Sequence, residues 1–254
     1  MDTKISIKEE IYKLSAITDR GQRLNKLIAP TYKEKVREMK VLIEKLNNFS
    51  IPVSEENLSG NWELIFSDVE LFRSSPFFLS IENALDDKKK SDLFFKLHQL
   101  QVGSFGISTI GRIGQHIDFK KKLFISTFDT TIFGLTTIPI LGWFKLLPTF
   151  GGRVVTLANN LNLKDNTLEM TLEKTKVTQV EGLNRIPLFS ESLMDRWFQV
   201  REIWNKLPWN KKEPYCKLTI IFIDEDLRIM RDIYGAIFIY IRESNSFLEI
   251  HEDN

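Results

Sequence analysis

The spacing of apolar residues changes near residue 60, from a helical repeat to a two-residue repeat. Before that point, two apolar stripes recur every three to four positions, which is the helical pattern. The first predicts a helix that stops near Gly21; its members are Ile7, Ile11, Leu14 and Ile17. The second predicts a helix after Pro30, where Thr31 and Glu34 have capping-box spacing; its members are Val36, Met39, Leu42, Ile43 and Leu46. We therefore expect a helical segment over residues 1–52.

From Gly60 onwards the pattern favours strands. Trp62, Leu64 and Phe66 alternate with polar or outward positions, which is typical of a half-buried strand. A short helix over 77–84 and a charged loop over 86–92 are expected next. Further short strands are then predicted, separated by turn residues; they cover 99–104, 106–113, 115–119, 123–129, the hairpin 154–163 with 168–180, and the last three at 216–223, 227–231 and 235–242.

One more helix is expected among these strands, over residues 190–207. Ser190 is a suitable N-cap, and one face of the predicted helix carries Leu193, Trp197, Val200 and Trp204. The fold class is therefore α+β and mainly β, because many short antiparallel strands indicate a barrel or a sandwich. The expected domain covers 58–243 and packs against the N-terminal helices, and a polar tail follows over 244–254.

Composition excludes several classes of protein. The chain has 254 residues, with 35 Lys and Arg against 34 Asp and Glu, so its net charge gives no bulk reason to bind nucleic acid. A single cysteine indicates a reducing compartment. The first residues lack the apolar core of a signal peptide and the acid-poor composition of a transit peptide, so neither is expected in this chain. The longest uncharged run, 130–144, is shorter than the ~20 residues that a membrane-spanning helix needs.

Residues for catalysis are sparse. His98, His116 and His251 are too scattered for a metal site, and no nucleophile-elbow, dinucleotide or phosphate-loop motif occurs. The acidic residues at 224–226 are interpreted as the solvated tip of a turn, and Cys216 as an apolar filler. No catalytic residue, metal or cofactor is predicted.

Five segments, taken in order, resemble the plastid-lipid-associated proteins, also called fibrillins. They are DRG at 19–21, LSGNWELIF at 58–66, RSSPFF at 73–78, IGQHID at 113–118, and FIDEDLRIMR at 222–231 followed by GAIF at 235–238. The resemblance covers about residues 7 to 242. The chain departs from it at Asp232, where the family usually has Gly, and in the longer stretch 187–214.

The resemblance implies a lipocalin-like barrel preceded by helices. It also implies association with thylakoid membranes or with plastoglobules, the lipid droplets of plastids. The ligands that it implies are carotenoids, prenylquinones and other apolar lipids. We expect the chain in a plastid, at the stroma, thylakoid or plastoglobule surface, or at a cyanobacterial thylakoid.

One set of residues, Gly60, Trp62 and Arg228, is expected to close such a barrel as a structural element, and a second set is a candidate for a ligand site inside it. Gly60 and Trp62 resemble the lipocalin G-x-W signature, whose Trp closes one end of the barrel; Arg228 or Arg242 is then the expected cation–π partner. The ligand-cavity candidates are Trp62, Leu64, Phe66, Ile117, Phe119, Leu172 and Phe238. For any single one of them, ordinary core packing is the favoured explanation, because apolar strand residues are usually buried.

Two further segments are candidates for contact with a membrane. The uncharged run at 132–147 predicts either two strands bent at Pro139, or a loop that dips into lipid. The predicted helix at 190–207 is either interfacial or a lid on the barrel. The membrane-contact candidates are Phe133, Trp143, Phe144, Trp197, Trp204 and Trp209.

Two functions follow as hypotheses. The first is a non-enzymatic protein that binds apolar lipid or coats a lipid surface; peripheral membrane contact is a further expectation, and no nucleic-acid partner is expected. The second is an interaction protein whose barrel is filled by its own side chains, and whose helix at 190–207 docks an enzyme of isoprenoid-lipid metabolism. An enzyme acting on an isoprenoid has little support, because no acid–base pair stands out.

Overall fold

The computed structural model describes residues 3–22, 29–104, 110–138, 143–178, 196–207 and 212–244. Its helices are α1 Lys4–Ile17, α2 Ala29–Leu46, α3 Glu55–Leu58, α4 Pro76–Leu85, α5 Lys88–Ser104 and α6 Val200–Trp204. Its strands are β1 Gly60–Ser67, β2 Ile110–Asp118, β3 Leu123–Ile138, β4 Trp143–Lys164, β5 Thr167–Thr178, β6 Phe198–Gln199, β7 Tyr215–Ile223, β8 Leu227–Arg231 and β9 Ile237–Glu243. The class is mainly β with helices, as the sequence predicted.

Eight of the strands close into an antiparallel barrel. Successive strands pair as neighbours from β1 to β5, then through β7, β8 and β9, and β9 pairs back onto β1. The short β6 lies beside the far end of β5. This up-and-down order removes the open sheet edges, since each barrel strand has a partner on both sides.

The two ends of the barrel differ in their connections. Short turns join β2 to β3, β4 to β5 and β7 to β8 at one end, which we call the base. The turn from β4 to β5 uses Asp165 and Asn166 at φ 48° and 58°, which confirms the predicted hairpin. At the other end, the rim, long segments connect β1 to β2 and β5 to β7. These carry α4, α5 and α6.

Strands β3 and β4 continue past the rim as a two-stranded ribbon. Thr130 is the last β3 residue opposite β2, and Arg153 is the first β4 residue opposite β5. Beyond them, residues 131–138 pair with 143–151 and, within the described ranges, with no third strand. The backbone therefore forms the predicted strand pair on both sides of residues 139–142, which lie outside the described residues.

The N-terminal helices cover one outer face of the barrel. Ile11, Leu14 and Ile43 are buried against the outward side chains of β8 and β9. Arg20 fixes this helical pair to the barrel, because its guanidinium donates to the carbonyl oxygens of Ile110 and Gly111 at 2.7 and 2.6 Å. The predicted stripe of α1 ends one turn early, since Ile17 is 42% exposed.

Phe66 belongs to this outer layer, so its assignment to the barrel wall was wrong. Leu64 lies opposite Tyr240, but Phe66 lies opposite Ile239, which shows an extra residue in β1 at this point. Such a bulge turns the following side chains to the other face of the sheet. Phe66 is accordingly buried under α1 and α2, whereas Leu64 points inward.

The segment 86–104 differs most from its prediction. The expected loop at 86–92 and strand at 99–104 are wrong, because α5 covers nearly all of both. The carboxylate of Asp87 accepts hydrogen bonds from the backbone N–H groups of Lys89 and Lys90 at 2.8 and 3.1 Å, and this caps the helix. Strand β2 also joins the two short strands that were expected at 106–113 and 115–119; residues 105–109 lie outside the described ranges.

The predicted helix at 190–207 is much shorter than expected. Residues 190–195 are outside the described ranges, Phe198–Gln199 is strand β6, and only Val200–Trp204 is helical. Trp197 precedes the helix, so it does not share a helical face with Trp204.

The last turn closes without the glycine that the family usually has after Arg231. The carboxylate of Asp232 accepts hydrogen bonds from the backbone N–H groups of Tyr234 and Ala236 at 2.9 and 2.8 Å. Gly235 then supplies the left-handed conformation, at φ 90°. An Asx-type turn therefore replaces the missing glycine.

Candidate functional site

The inward side chains of the barrel form one buried cluster. Six of the seven predicted wall positions belong to it, namely Trp62, Leu64, Ile117, Phe119, Leu172 and Phe238. The cluster continues without a break into α4, α5 and α6 at the rim. The predicted wall residues are therefore brought together, and side chains of the chain itself pack among them.

Trp62 lies at the base of the barrel between two arginines. The Cζ atoms of Arg228 and Arg242 are 4.6 and 4.2 Å from the indole centroid, so both of the expected partners are in cation–π range. The indole N–H donates to the carbonyl oxygen of Leu58 at 2.9 Å. The Trp is fully buried, and its ring closes the base.

Gly60 allows Arg242 to reach this position. Gly60 has φ 118°, and a Cβ atom there would lie 2.8 Å from Nη1 of Arg242. The guanidinium of Arg242 donates to the carbonyl oxygens of Asn57 and Ser59 at 2.6 and 2.7 Å. It thereby satisfies carbonyl groups at the end of α3. The G-x-W motif is thus a structural device for closing the base.

Arg228 extends the base into the interior. Its Nη2 donates to the amide oxygen of Gln115 at 2.6 Å, and the Gln115 amide donates to the hydroxyl of Tyr240 at 2.8 Å. The side chain of Ser74, in the 3₁₀ turn before α4, lies beside the hydroxyl of Tyr240. Burial lowers the pKa of Arg228 to about 9, so its charge is kept at neutral pH. A polar path therefore connects the base to the rim helices.

The rim is filled by a helical plug, which we define as residues 71–104. Helix α4 is apolar on nearly every side, as expected of a helix with no solvent-facing side. Its Phe78 contacts Phe72 and His98, with ring centroids 4.8 and 5.1 Å apart. Burial lowers the pKa of His98 to about 4, so the ring is neutral and packs as an aromatic. Ser80 lies beside Cys216 on β7, where the plug packs against the inner wall.

A buried ionic cluster holds the plug to the last turn of the barrel. The guanidinium of Arg73 donates to the carboxylate of Glu82 at 2.7 Å, and the hydroxyl of Ser91 donates to the same oxygen at 3.2 Å. The Oδ2 atom of Asp232 lies 4.0 Å from Nη2 of Arg73. Burial and the negative charge of Asp232 raise the pKa of Glu82 to about 7. The cluster ties together the 3₁₀ turn, α4, α5 and the β8–β9 turn.

Sequence reasoning missed this cluster, because its members are far apart in the chain and each is an ordinary surface type of residue. One signal could have found Glu82, since it is an acid inside an otherwise apolar helix. The acidic residues at 224–226 were also only partly interpreted correctly. They form a turn, but Asp224 is fully buried and paired with Lys4 and Lys8 at 2.8 and 3.0 Å. Those lysines hold the pKa of Asp224 below its usual range, although burial alone would raise it.

The membrane-contact candidates that the structure describes fall into three groups. Trp204 is fully buried and its indole N–H donates to the carbonyl oxygen of Lys212 at 2.7 Å, so its assignment to a lipid surface was wrong. Trp197 is partly exposed and lies under Lys174 and Lys176, at 4.9 and 4.7 Å from its ring. The backbone places the remaining described candidates, Phe133, Trp143 and Phe144, on the ribbon. Trp209 lies outside the described residues.

Within the described part of the chain, no group of three or more His, Cys, Asp or Glu residues could hold a metal ion. Among the described helices, none is long and apolar enough to cross a membrane. Cys216 is buried, and burial raises the pKa of its thiol to about 12, which fits a filler and not a nucleophile.

The fold and the closed base define an eight-stranded antiparallel barrel of lipocalin type, plugged at its rim by helices. The sequence model of the PAP_fibrillin family matches residues 6–241, and the chain therefore belongs to this family, the plastid-lipid-associated proteins or fibrillins. No curated protein and no solved structure was found to match the chain. The family is plastid-associated and generally non-enzymatic, and with the barrel fold it fits a lipid-associated structural role.

Proposed function

We propose that this protein is a non-enzymatic factor that associates with apolar lipids, of the carotenoid and prenylquinone class, at a thylakoid membrane or a plastoglobule surface. Membership of the PAP_fibrillin family supports the lipid class and a plastid location. The near-zero net charge supports attachment through apolar contact, since bulk electrostatic attraction is absent.

The ribbon is the observation that carries this proposal. Residues 130–144 contain no charged side chain, and the strands on either side of 139–142 extend past the barrel rim. Eight strand residues span about 25 Å, which exceeds the depth of a lipid headgroup layer. A projection whose outer part, 130–144, is uncharged and contains aromatic residues is a suitable element for insertion into a lipid surface, where Trp prefers the interface.

Flotation with lipid droplets tests the proposal. The probe is an emulsion with a triacylglycerol and β-carotene core under a phosphatidylcholine monolayer. We expect the wild type to float with the droplets, and the double variant Trp143→Glu/Phe144→Glu to float at least about tenfold less, because charge resists insertion into the monolayer. Phe49→Glu, at an exposed aromatic on the 3₁₀ turn after α2, is the matched control and should float normally. Wild-type protein that stays at the bottom of the gradient contradicts the proposal.

A second candidate function is that of an interaction protein with a filled barrel, which docks an enzyme of isoprenoid-lipid metabolism. The continuous packing of wall residues with α4 favours it. Solvent extraction of the purified protein followed by mass spectrometry separates the two functions. Co-purified carotenoid or prenylquinone supports lipid association, whereas protein that is consistently lipid-free and does not float supports the docking function.

A further inference from the structure

Helix α5 has apolar residues on two opposite faces. Phe94, Phe95 and His98 are buried in the plug. On the other side, Leu93 and Leu100 are 49% and 62% exposed, and both are among the largest exposed apolar side chains of the described residues. A helix that needs only one apolar face for its packing has a second one left for another contact.

The outward residues form a continuous stripe. At 100° per residue, Leu93, Leu97 and Leu100 lie within an arc of about 60°, and this arc is centred about 150° from the buried face. Leu97, between them, is half-buried. The stripe therefore points away from the barrel, and the aromatic packing beneath it fixes its direction.

Lysines flank the stripe on both sides. Lys89 and Lys96 lie on one side and Lys90 on the other, and all three are exposed. The helix carries four lysines against one aspartate, in a chain that is otherwise nearly neutral. Leucines between lysines are the composition of an interfacial helix, whose apolar side chains enter lipid while the ammonium groups meet anionic headgroups.

The topology places this stripe at the same end of the barrel as the ribbon. Helix α5 belongs to the connection from β1 to β2, and both of those strands have their connected ends at the rim. The ribbon leaves the barrel at the same rim. One lipid surface can therefore meet both elements.

We propose that the outward face of α5, formed by Leu93, Leu97 and Leu100 with Lys89, Lys90 and Lys96, docks on an anionic lipid surface. This face sets the preference of the protein for membranes or droplets that carry negatively charged headgroups. The inference rests on the proposed lipid association and adds to it the location and charge of the contact.

Vesicle flotation with surface variants tests this face. The probes are phosphatidylcholine vesicles with and without phosphatidylglycerol, at low and high salt. We expect the wild type to float better with phosphatidylglycerol, and to lose that advantage at high salt. Leu93→Glu/Leu100→Glu should reduce the bound fraction at least about tenfold, because two exposed leucines that the lipid would bury are lost. Lys89→Gln/Lys96→Gln should remove the preference for phosphatidylglycerol and keep the weaker binding to phosphatidylcholine.

The matched control is Ile5→Glu/Val41→Glu. It changes two exposed apolar residues of α1 and α2, which are 69% and 50% exposed and lie on the N-terminal helices. It should float like the wild type. All these positions are exposed, so circular dichroism and melting should show unchanged folding.

Three results overturn the docking face. The first is equal flotation of Leu93→Glu/Leu100→Glu and the wild type. The second is a loss of flotation in Ile5→Glu/Val41→Glu as large as that in Leu93→Glu/Leu100→Glu. The third is equal binding of the wild type to both vesicle types. If any of them occurs while droplet flotation still depends on Trp143 and Phe144, the lipid association stands and only the α5 face fails. If the wild type floats with neither vesicles nor droplets and carries no extractable lipid, both proposals fail.

Discussion

Gly21 occupies the tightest position between the N-terminal helices and the barrel. It has φ 86°, and a Cβ atom there would lie 1.9 Å from the carbonyl oxygen of Ser67. Ser67 is also bonded to this turn, since its N–H donates to the carbonyl oxygen of Arg20 at 3.1 Å. Any side chain at residue 21 must therefore push the turn away from β1.

We predict that Gly21→Ala lowers the free energy of unfolding by more than about 3 kcal/mol, because strain and a backbone clash act together. Gly235→Ala is the matched control, since Gly235 has φ 90° but nothing within 4 Å of a Cβ atom. It should cost only about 1–2 kcal/mol for the left-handed conformation. Urea denaturation measures both. Equal losses would show that the close approach at Ser67 does not matter.

Glu82 makes stability depend on pH. Its pKa is raised from 4.5 to about 7 in the folded protein by burial and by Asp232. The folded state therefore keeps this proton up to a higher pH than the unfolded state does, and the contribution of Glu82 to stability should fall as pH rises from about 4.5 to 7. We predict that the stability of Glu82→Gln relative to the wild type rises with pH between about 4.5 and 7, as measured by urea denaturation at several pH values.

His98 acts in the opposite direction, because its pKa is lowered from 6.5 to about 4 by burial, so stability is lost as pH falls below 6.5. Both Glu82→Gln and the wild type keep His98, so the difference between their profiles isolates Glu82. Glu56→Gln, at an exposed site on α3, serves as control and should leave the profile unchanged. If Glu82→Gln shows the same dependence of stability on pH as the wild type, Glu82 is not a source of that dependence.

At the scale of elements, α1 holds to the barrel through a few buried side chains. Ile11 is 0% exposed under the outer face of β8 and β9, whereas Ile5 on the same helix is 69% exposed. We predict that Ile11→Ala costs about 2–4 kcal/mol of unfolding free energy, and Ile5→Ala less than about 0.5 kcal/mol. Thermal denaturation of the two variants measures both losses of stability. Similar costs would mean that α1 is not docked on the barrel as described.

Elements with a strong period or turn signal were predictable from sequence. The hairpin at Asp165 and the strands β7 and β8 are placed as predicted, because each has regular alternation and a turn residue at its end. Helix α5 was missed because its apolar residues lie on two faces, so no single stripe stands out, and its lysines resembled a loop. The residues around Trp204 resembled a long helix, but within the described residues 196–207 only Val200–Trp204 is helical.

At the scale of the whole molecule, the two ends of the barrel differ in what they carry. The base has short turns and is closed by Trp62 between Arg228 and Arg242. The rim has the long connections, the plug, the ribbon and the outward face of α5. Long connections at one end of a rigid barrel are where binding residues usually lie. The inward positions of the wall were predictable from alternation, except Phe66, because a bulge cannot be read from a period of two.

Fractionation of the protein in a plastid-containing cell tests the central claim, that it is a lipid-associated protein, most directly. The tagged chain would be followed through a flotation gradient that separates plastoglobules, thylakoid membranes and soluble stroma, with Leu93→Glu/Leu100→Glu in parallel. We predict that the wild type is recovered with the plastoglobules or thylakoids and that the variant shifts towards the stroma. Recovery of the wild type entirely in the soluble stroma would contradict the account.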